Sequence, residues 1–89
     1  MKIRLLKKFK KSYKKLSEKT HNKFKNKISI FQNNPFEKSL NNHKLTWNRK
    51  WFSSINITWD IRAIFREVWE WNYEFVEFEN IWSHSELYK

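Results

Sequence analysis

Four side chains in this sequence could together perform acid–base chemistry on a phosphodiester: His43, Asp60, Arg62 and His84. A histidine or a carboxylate can take up or release a proton, and a fixed guanidinium can stabilise the charge that develops on a phosphate. Asp60 and Arg62 are two residues apart, so in an extended chain their side chains point to the same face. Cleavage of RNA at a 2′-OH needs this set of groups and no metal ion.

Each of these residues also has a plainer interpretation. A lone histidine in a small domain is most often a surface or capping residue, Asp60 could be a turn residue, and Arg62 could be a surface cation paired with Glu77 or Glu79. The histidines have no third ligand at a metal-binding spacing, and the chain has no Cys and no Gly-rich phosphate loop. We therefore expect neither a metal site nor a cofactor.

Charge is distributed unevenly along the 89 residues. Residues 1–50 carry a formal charge of +14 and residues 51–89 carry −4. This favours an anionic partner for the first half, with nucleic acid ahead of an acidic protein or a membrane surface. The absence of Cys is compatible with the reducing cytosol, and no apolar run approaches the ~20 residues of a membrane span. We therefore expect a cytoplasmic protein with no membrane partner. The candidate basic contacts are Lys7, Lys8, Lys10, Lys11, Lys14, Lys15, Lys23, Lys25, Lys27, Lys44, Arg49 and Lys50.

Hydrophobic spacing changes from a helical to a strand period along the chain. Phe9, Tyr13 and Leu16 predict a helix over residues 7–18, after a short strand at 2–6. A second helix is predicted from an N-cap at Thr20 to the break before Pro35. After a polar connector at 36–52, three strands are predicted at 53–58, 61–68 and 73–81. The order predicts one α+β domain over 1–89, with two N-terminal helices packed on a small antiparallel sheet.

Several segments of the chain, in order, resemble the RelE/ParE superfamily of toxins from bacterial toxin–antitoxin modules. The resemblance is closest to the YafQ-like and RelE/StbE-like mRNA interferases, and it covers nearly the whole chain. The segments that carry it are Asn34-Pro35-Phe36, Leu40-Asn41-Asn42-His43, His43-Lys44-Leu45, Ser54-Ile55-Asn56-Ile57, Asp60-Ile61-Arg62-Ala63-Ile64-Phe65 and Ile81-Trp82-Ser83-His84-Ser85-Glu86-Leu87-Tyr88.

The resemblance implies a microbial-ribonuclease-type fold and cleavage of mRNA, usually in the ribosomal A site. It also implies ribosomal RNA as the partner of the lysines and a cognate antitoxin that neutralises the protein. His43, Asp60, His84 and Tyr88 fall on positions that the YafQ-like branch uses for activity, and Arg62 falls on the phosphate-contacting Arg of the RelE-like branch. Asn56 stands where the YafQ-like branch has a further His, so the assignment of general acid and base stays open.

Two alternative functions fit the same fold. One is a ParE-like toxin that inhibits DNA gyrase by binding. The other is an RNA-binding module without catalysis. His84 and Asp60 argue against the first, because these groups have no evident use in gyrase binding.

The chain contains six Trp and no Gly, whereas a typical chain of this length has about six Gly. The family pattern has Gly at the positions of Trp47, Trp51, Trp59 and Trp82. Some bacterial lineages read the codon UGA as Gly, while a common alternative translation table renders it as Trp. We therefore interpret the six Trp as recoded glycines and base no functional argument on them.

This interpretation predicts the mass of the native protein. Protein isolated from its own cells should be lighter than the 11.3 kDa of the printed sequence by six Trp-to-Gly differences. Intact-mass and peptide mass spectrometry measure this directly, and peptides that contain Trp at these positions would refute the recoding.

Overall fold

The structure, a computed structural model, describes residues 1–45, 51–68 and 73–83. Two helices pack on one face of a five-stranded sheet with the order β1-β5-β4-β3-β2, which confirms the predicted α+β class. No helix within these ranges is long and apolar enough to cross a membrane. The elements are β1 (Lys2–Leu5), α1 (Lys7–Lys14), α2 (Glu18–Asn33), a 3-10 turn (Lys38–Leu40), β2 (His43–Lys44), β3 (Ser53–Asn56), β4 (Ile61–Glu67) and β5 (Phe75–Ser83).

The sheet is mixed rather than wholly antiparallel. The strands β3, β4 and β5 form the predicted antiparallel meander. The first strand, however, pairs in parallel with β5, the last one along the chain. The predicted polar connector also supplies β2, which pairs antiparallel with β3 at the other edge.

The second helix begins earlier than its sequence predicts. The Ser17 hydroxyl accepts a hydrogen bond from the backbone N–H of Thr20 at 3.1 Å, so Ser17 is the N-cap. The prediction of a Thr20 cap is wrong, because Ser17 offers the same kind of acceptor three residues earlier. The helix ends at Asn33, as the following Asn34-Pro35 predicts.

The two helices are joined by a stacked pair of rings. The Tyr13 and His21 rings lie 4.1 Å apart with an interplanar angle of 19°. His21 Nε2 donates to the Tyr13 carbonyl oxygen at 2.7 Å, and the Tyr13 hydroxyl donates to the His21 carbonyl oxygen at 3.4 Å. Burial raises the pKa of the Tyr13 hydroxyl. These contacts give His21 a structural role in the helical hairpin.

The core is centred on Phe78 of β5, which is fully buried. Its ring contacts those of Phe9 and Phe24 at centroid distances of 5.8 and 6.1 Å. It also contacts Phe31 at 5.7 Å and Phe65 at 5.4 Å. Phe78 therefore links both helices to the sheet. The remaining buried residues of the inner face are Ile55, Ile57, Ala63, Val76 and Ile81.

Backbone strain lies away from the described Trp residues. Among the residues that the structure describes, positive φ angles occur at Asn41 (47°) and Tyr73 (62°). None of the three described Trp residues, Trp51, Trp59 and Trp82, adopts one, so none of these positions requires the conformational freedom of Gly. The identity of these residues as Gly stays a prediction, and Trp47, Trp69 and Trp71 lie outside the described residues.

Removing the central ring should unfold much of the population. We expect Phe78→Ala to lower the free energy of unfolding by about 3–5 kcal/mol, because it deletes a fully buried ring. Phe36→Ala is the matched control, since Phe36 is 65% exposed and should cost about 1 kcal/mol or less. Urea titration followed by circular dichroism measures both, and equal losses would contradict the central role of Phe78.

Candidate active site

One face of the sheet packs against the helices, and the other carries the candidate site. We call the second the outer face. Paired residues of neighbouring strands point to the same side, so His43 shares this face with its partner Ser54, and Arg62 shares it with its partner Asn56. Residues of this face are His43, Leu45, Phe52, Ser54, Asn56, Arg62, Ile64, Arg66, Phe75, Glu77, Asn80 and Trp82, with Lys2 and Arg4 on β1.

A β-bulge decides which β5 residues reach the outer face. Ile64 pairs with Asn80 but the next residue, Phe65, pairs with Phe78, so Glu79 is the additional residue. Strict alternation would put Phe78 and Ile81 on opposite faces. With the bulge both are buried among the core residues, while Asn80 and Trp82 point outward.

The Arg62 guanidinium is fixed by the turn between β3 and β4. Its Nη1 donates to the carbonyl oxygens of Thr58 at 3.1 Å and Trp59 at 3.0 Å. The interpretation of Arg62 as a surface cation paired with Glu77 or Glu79 is therefore wrong. The backbone carbonyls thus hold the guanidinium in a defined position.

Asp60 lies in the same turn as Arg62. The Thr58 hydroxyl accepts hydrogen bonds from the backbone N–H of Asp60 at 3.2 Å and of Ile61 at 2.9 Å, which shapes the turn. Asp60 is half-buried there. Asp60 directly precedes β4 and Arg62 is its second residue, so both lie at the same end of the sheet.

His43 is exposed on the edge strand β2. Its Nδ1 lies 2.8 Å from the Asn41 carbonyl oxygen, which can only accept, so Nδ1 carries the hydrogen. In the neutral ring Nε2 is then left as a proton acceptor. From the pairing, His43 and Arg62 are two strands and two residues apart, or about 12 Å. They share the outer face without touching.

Two buried polar groups lie between His43 and Arg62. The Ser54 hydroxyl and the Asn56 side-chain oxygen have no hydrogen-bond partner among the described residues. Leaving such an atom unpaired costs about 1–3 kcal/mol, so both are unusual. Ser54 is fully buried and was missed by the sequence reasoning, although the alternation of Ser54 and Asn56 with buried Ile55 could have indicated it. We call His43, Ser54, Asn56 and Arg62 the polar strip.

The candidate basic residues are placed mainly on the helices. Those on α1, Lys15 just after it, and Lys23, Lys25 and Lys44 are exposed, and Lys27 is half-buried. Lys23 and Lys27 line a cleft of about 440 Å³ between α2 and the β3–β4 turn, which Asn56 and Trp59 also line. Two lysines of α2 and one member of the polar strip, Asn56, therefore line the same cleft.

His84, Tyr88, Arg49 and Lys50 lie outside the described residues. Within the described ranges, no group of three or more His, Asp or Glu side chains is placed to hold a metal ion.

Solved structures of bacterial toxins resemble this chain over almost its whole length. YafQ from Escherichia coli is 23% identical with a TM-score of 0.77, covering 98% of this chain and 97% of that one. The chain has a RelE/ParE-like toxin fold. A YoeB/ParE toxin from Agrobacterium tumefaciens is 17% identical with a TM-score of 0.75, covering 94% and 99%. In the Escherichia coli DinJ–YafQ toxin–antitoxin complex the matching chain is 22% identical with a TM-score of 0.74, covering 98% and 96%.

Comparison of the sequence alone does not identify this fold. No protein-family model and no curated protein matches the chain. At identities below 25% the solved structures establish the RelE-like fold, and the site residues remain predictions.

Glu67 is the last residue of β4 in this RelE-like sheet, at the opposite end of the strand from Arg62. Its carboxylate is partly removed from water. Glu67 is half-buried, and its Oε1 has no hydrogen-bond partner among the described residues. Burial raises the pKa of the Glu67 carboxyl, and the charge of Lys44 offsets part of this rise. The folded protein therefore holds this proton more tightly than the unfolded chain does. Stability must fall as the pH rises from the ordinary carboxyl pKa through the raised one.

A neutral side chain at this position should remove that pH dependence. We expect Glu67→Gln to raise the melting temperature near neutral pH and to leave it unchanged below the ordinary carboxyl pKa, where both side chains are uncharged. Thermal unfolding over a pH series measures the difference. A variant less stable than the wild type at neutral pH would mean that attraction to Lys44 outweighs the cost of burial.

Proposed function

We propose that this protein is the toxin of a type II toxin–antitoxin system and inhibits translation by cleaving mRNA in the ribosomal A site. The observation that carries the proposal is the Arg62 guanidinium, which the turn containing Asp60 holds through its backbone carbonyls, on the same sheet face as His43. The likeness to YafQ and YoeB/ParE toxins supports the toxin assignment, and the basic first half of the chain supports an RNA substrate.

In the proposed reaction the 2′-oxygen of a nucleotide attacks the adjacent phosphorus and the 5′-oxygen leaves. A base takes the proton of the 2′-OH, and an acid gives a proton to the 5′-oxygen. His84 is assigned as acid or base, and Asp60 as base or as the group that orients a histidine. His43 contacts the substrate or acts as a second base through Nε2.

Arg62 supplies the charge stabilisation in this scheme. Its guanidinium is already held before substrate binds, so it requires little rearrangement as negative charge grows on the phosphate. Tyr88 is assigned as a stacking platform for a base or as a hydroxyl donor. No metal ion or cofactor has a role in these steps.

Two macromolecular partners belong to the proposal. The candidate basic contacts named above would contact ribosomal RNA through its phosphates, so binding should weaken with salt. They are Lys7, Lys8, Lys10, Lys11, Lys14, Lys15, Lys23, Lys25, Lys27, Lys44, Arg49 and Lys50. A cognate antitoxin would neutralise the protein, with an acidic segment on the basic surface. The DinJ–YafQ complex supports a protein partner of this kind.

Cleavage mapping tests the proposed reaction. In a translating bacterial extract, primer extension on a reporter mRNA should show discrete cuts in register with codons, and none without ribosomes. His84→Ala should lower the cleavage rate about 10²–10⁴-fold, and Arg62→Ala about 10²–10³-fold.

Lys19→Ala is the control, because Lys19 is exposed on α2 and has no assigned role. Its cleavage rate should match the wild type. Intact mRNA with folded, ribosome-bound protein would overturn the nuclease. If His84→Ala also kept full toxicity in cells, a gyrase-inhibiting toxin would become the better assignment.

A further inference from the structure

A three-residue ion cluster crosses the outer face beyond the polar strip. Arg4 on β1, Glu77 on β5 and Arg66 on β4 are direct partners in the strand pairing. Arg66 Nε and Nη2 donate to Glu77 Oε1 at 3.1 and 2.9 Å. Arg4 forms an ion pair with Glu77 Oε2. Both carboxylate oxygens are therefore bound by guanidinium groups.

Burial is very unequal within this cluster. The Glu77 side chain is 2% exposed, whereas those of Arg4 and Arg66 are 60% and 49% exposed. Each guanidinium has five N–H donors, and Arg66 gives two of them to Glu77. The cluster thus keeps a net positive charge and directs further donors toward solvent. The Arg4 guanidinium also lies over the Phe75 ring, 5.5 Å from its centroid, which restrains it further.

A buried carboxylate is a poor means of adding stability, because taking it out of water costs about as much as its ion pairs return. It is a good means of holding two exposed guanidinium forks in fixed positions. Fixed planar forks suit phosphate, which they can bind through two parallel hydrogen bonds.

The distance between Arg66 and Arg62 indicates a ligand with repeated charges. Arg62 and Arg66 lie on the same face of β4, four residues or about 13 Å apart. Between them Ile64 packs with Leu45 and Phe52 in a small apolar cluster. A strand of RNA has phosphates at regular intervals and flat bases that stack on aromatic rings. An acidic peptide would also match the charges, but the position of the cluster on the same face as Arg62 favours the RNA strand that is proposed to be cut there.

We propose that Arg4 and Arg66, positioned by Glu77, form a second phosphate-binding site for the RNA strand whose scissile phosphate lies at Arg62. The inference rests on the proposed function in taking RNA as the ligand. Arg4 and Arg66 contact the phosphate, and Glu77 acts through them as a positioning residue.

The test measures binding without cleavage. Fluorescence anisotropy with a short single-stranded RNA, 2′-O-methylated at every position so that it cannot be cut, gives the affinity over a salt series. Arg66→Gln and Arg4→Gln should each weaken binding about tenfold. Each should also reduce the dependence of log K on log salt by about 0.7. Lys19→Gln removes the same charge from α2 and should leave both quantities unchanged.

Two further variants separate positioning from charge. Glu77→Gln raises the net charge by one, so a charge effect alone predicts tighter binding, whereas loss of positioning predicts weaker binding. Arg66→Lys keeps the charge but loses the fork, and should bind more weakly than the wild type. Circular dichroism establishes whether each variant is folded. If Glu77→Gln does not fold, the comparison of Arg66→Lys with Arg66→Gln and the wild type tests the proposal.

The proposal is overturned if Arg4→Gln and Arg66→Gln bind the RNA as Lys19→Gln does, or if Glu77→Gln and Arg66→Lys bind as tightly as the wild type. It is also overturned if Arg66→Gln loses affinity for a polyglutamate peptide but not for the RNA, which would assign the site to an acidic protein. A chain that cuts no mRNA but shows the expected RNA-binding losses would refute the nuclease and keep this site. A chain that cuts mRNA, but whose Arg4→Gln and Arg66→Gln variants bind RNA as the wild type does, would refute this site and keep the nuclease.

Discussion

The chemistry of the outer face depends on the β-bulge at Glu79. The strand β5 must bury both Phe78 and Ile81 against the helices, and these residues are three apart. A regular strand buries every second residue, so it cannot satisfy both. The bulge resolves this conflict by shifting the alternation within the strand. As a result Glu77 and Asn80 point outward, and the aromatic core determines which polar groups the site contains.

The guanidinium groups of the outer face are held in position in two different ways. Backbone carbonyls of the β3–β4 turn hold Arg62, whereas a buried carboxylate holds Arg4 and Arg66. Both arrangements orient guanidinium groups before a ligand arrives, which lowers the entropy that binding must remove. The lysines of the helices are different, since they are exposed point charges on flexible stems. We therefore infer that the helices attract an anionic partner and the outer face orients it.

The fold follows in large part from local patterns. The helical period predicts α1 and α2, Pro35 marks the end of α2, and the period of two predicts the antiparallel meander. Asp60 and Arg62 lie at the same end of the sheet because they are two residues apart at the start of β4. These features are determined by neighbours in sequence. The start of α2 is the exception, since the side chains of both Ser17 and Thr20 can cap a helix and the structure uses Ser17.

Contacts between distant segments, in contrast, were decided only by the tertiary structure. The sequence by itself determined the charge asymmetry, the helices, the three-stranded meander and the residue types available for chemistry. It did not determine the parallel pairing of β1 with β5, the bulge, or the partners of Glu77, because each depends on segments far apart in the chain. The same holds for His43, which reaches the outer face only because β2 pairs with β3. Pairing between strands far apart in the chain is set by the burial of both faces together, and the hydrophobic period of each strand alone does not specify it.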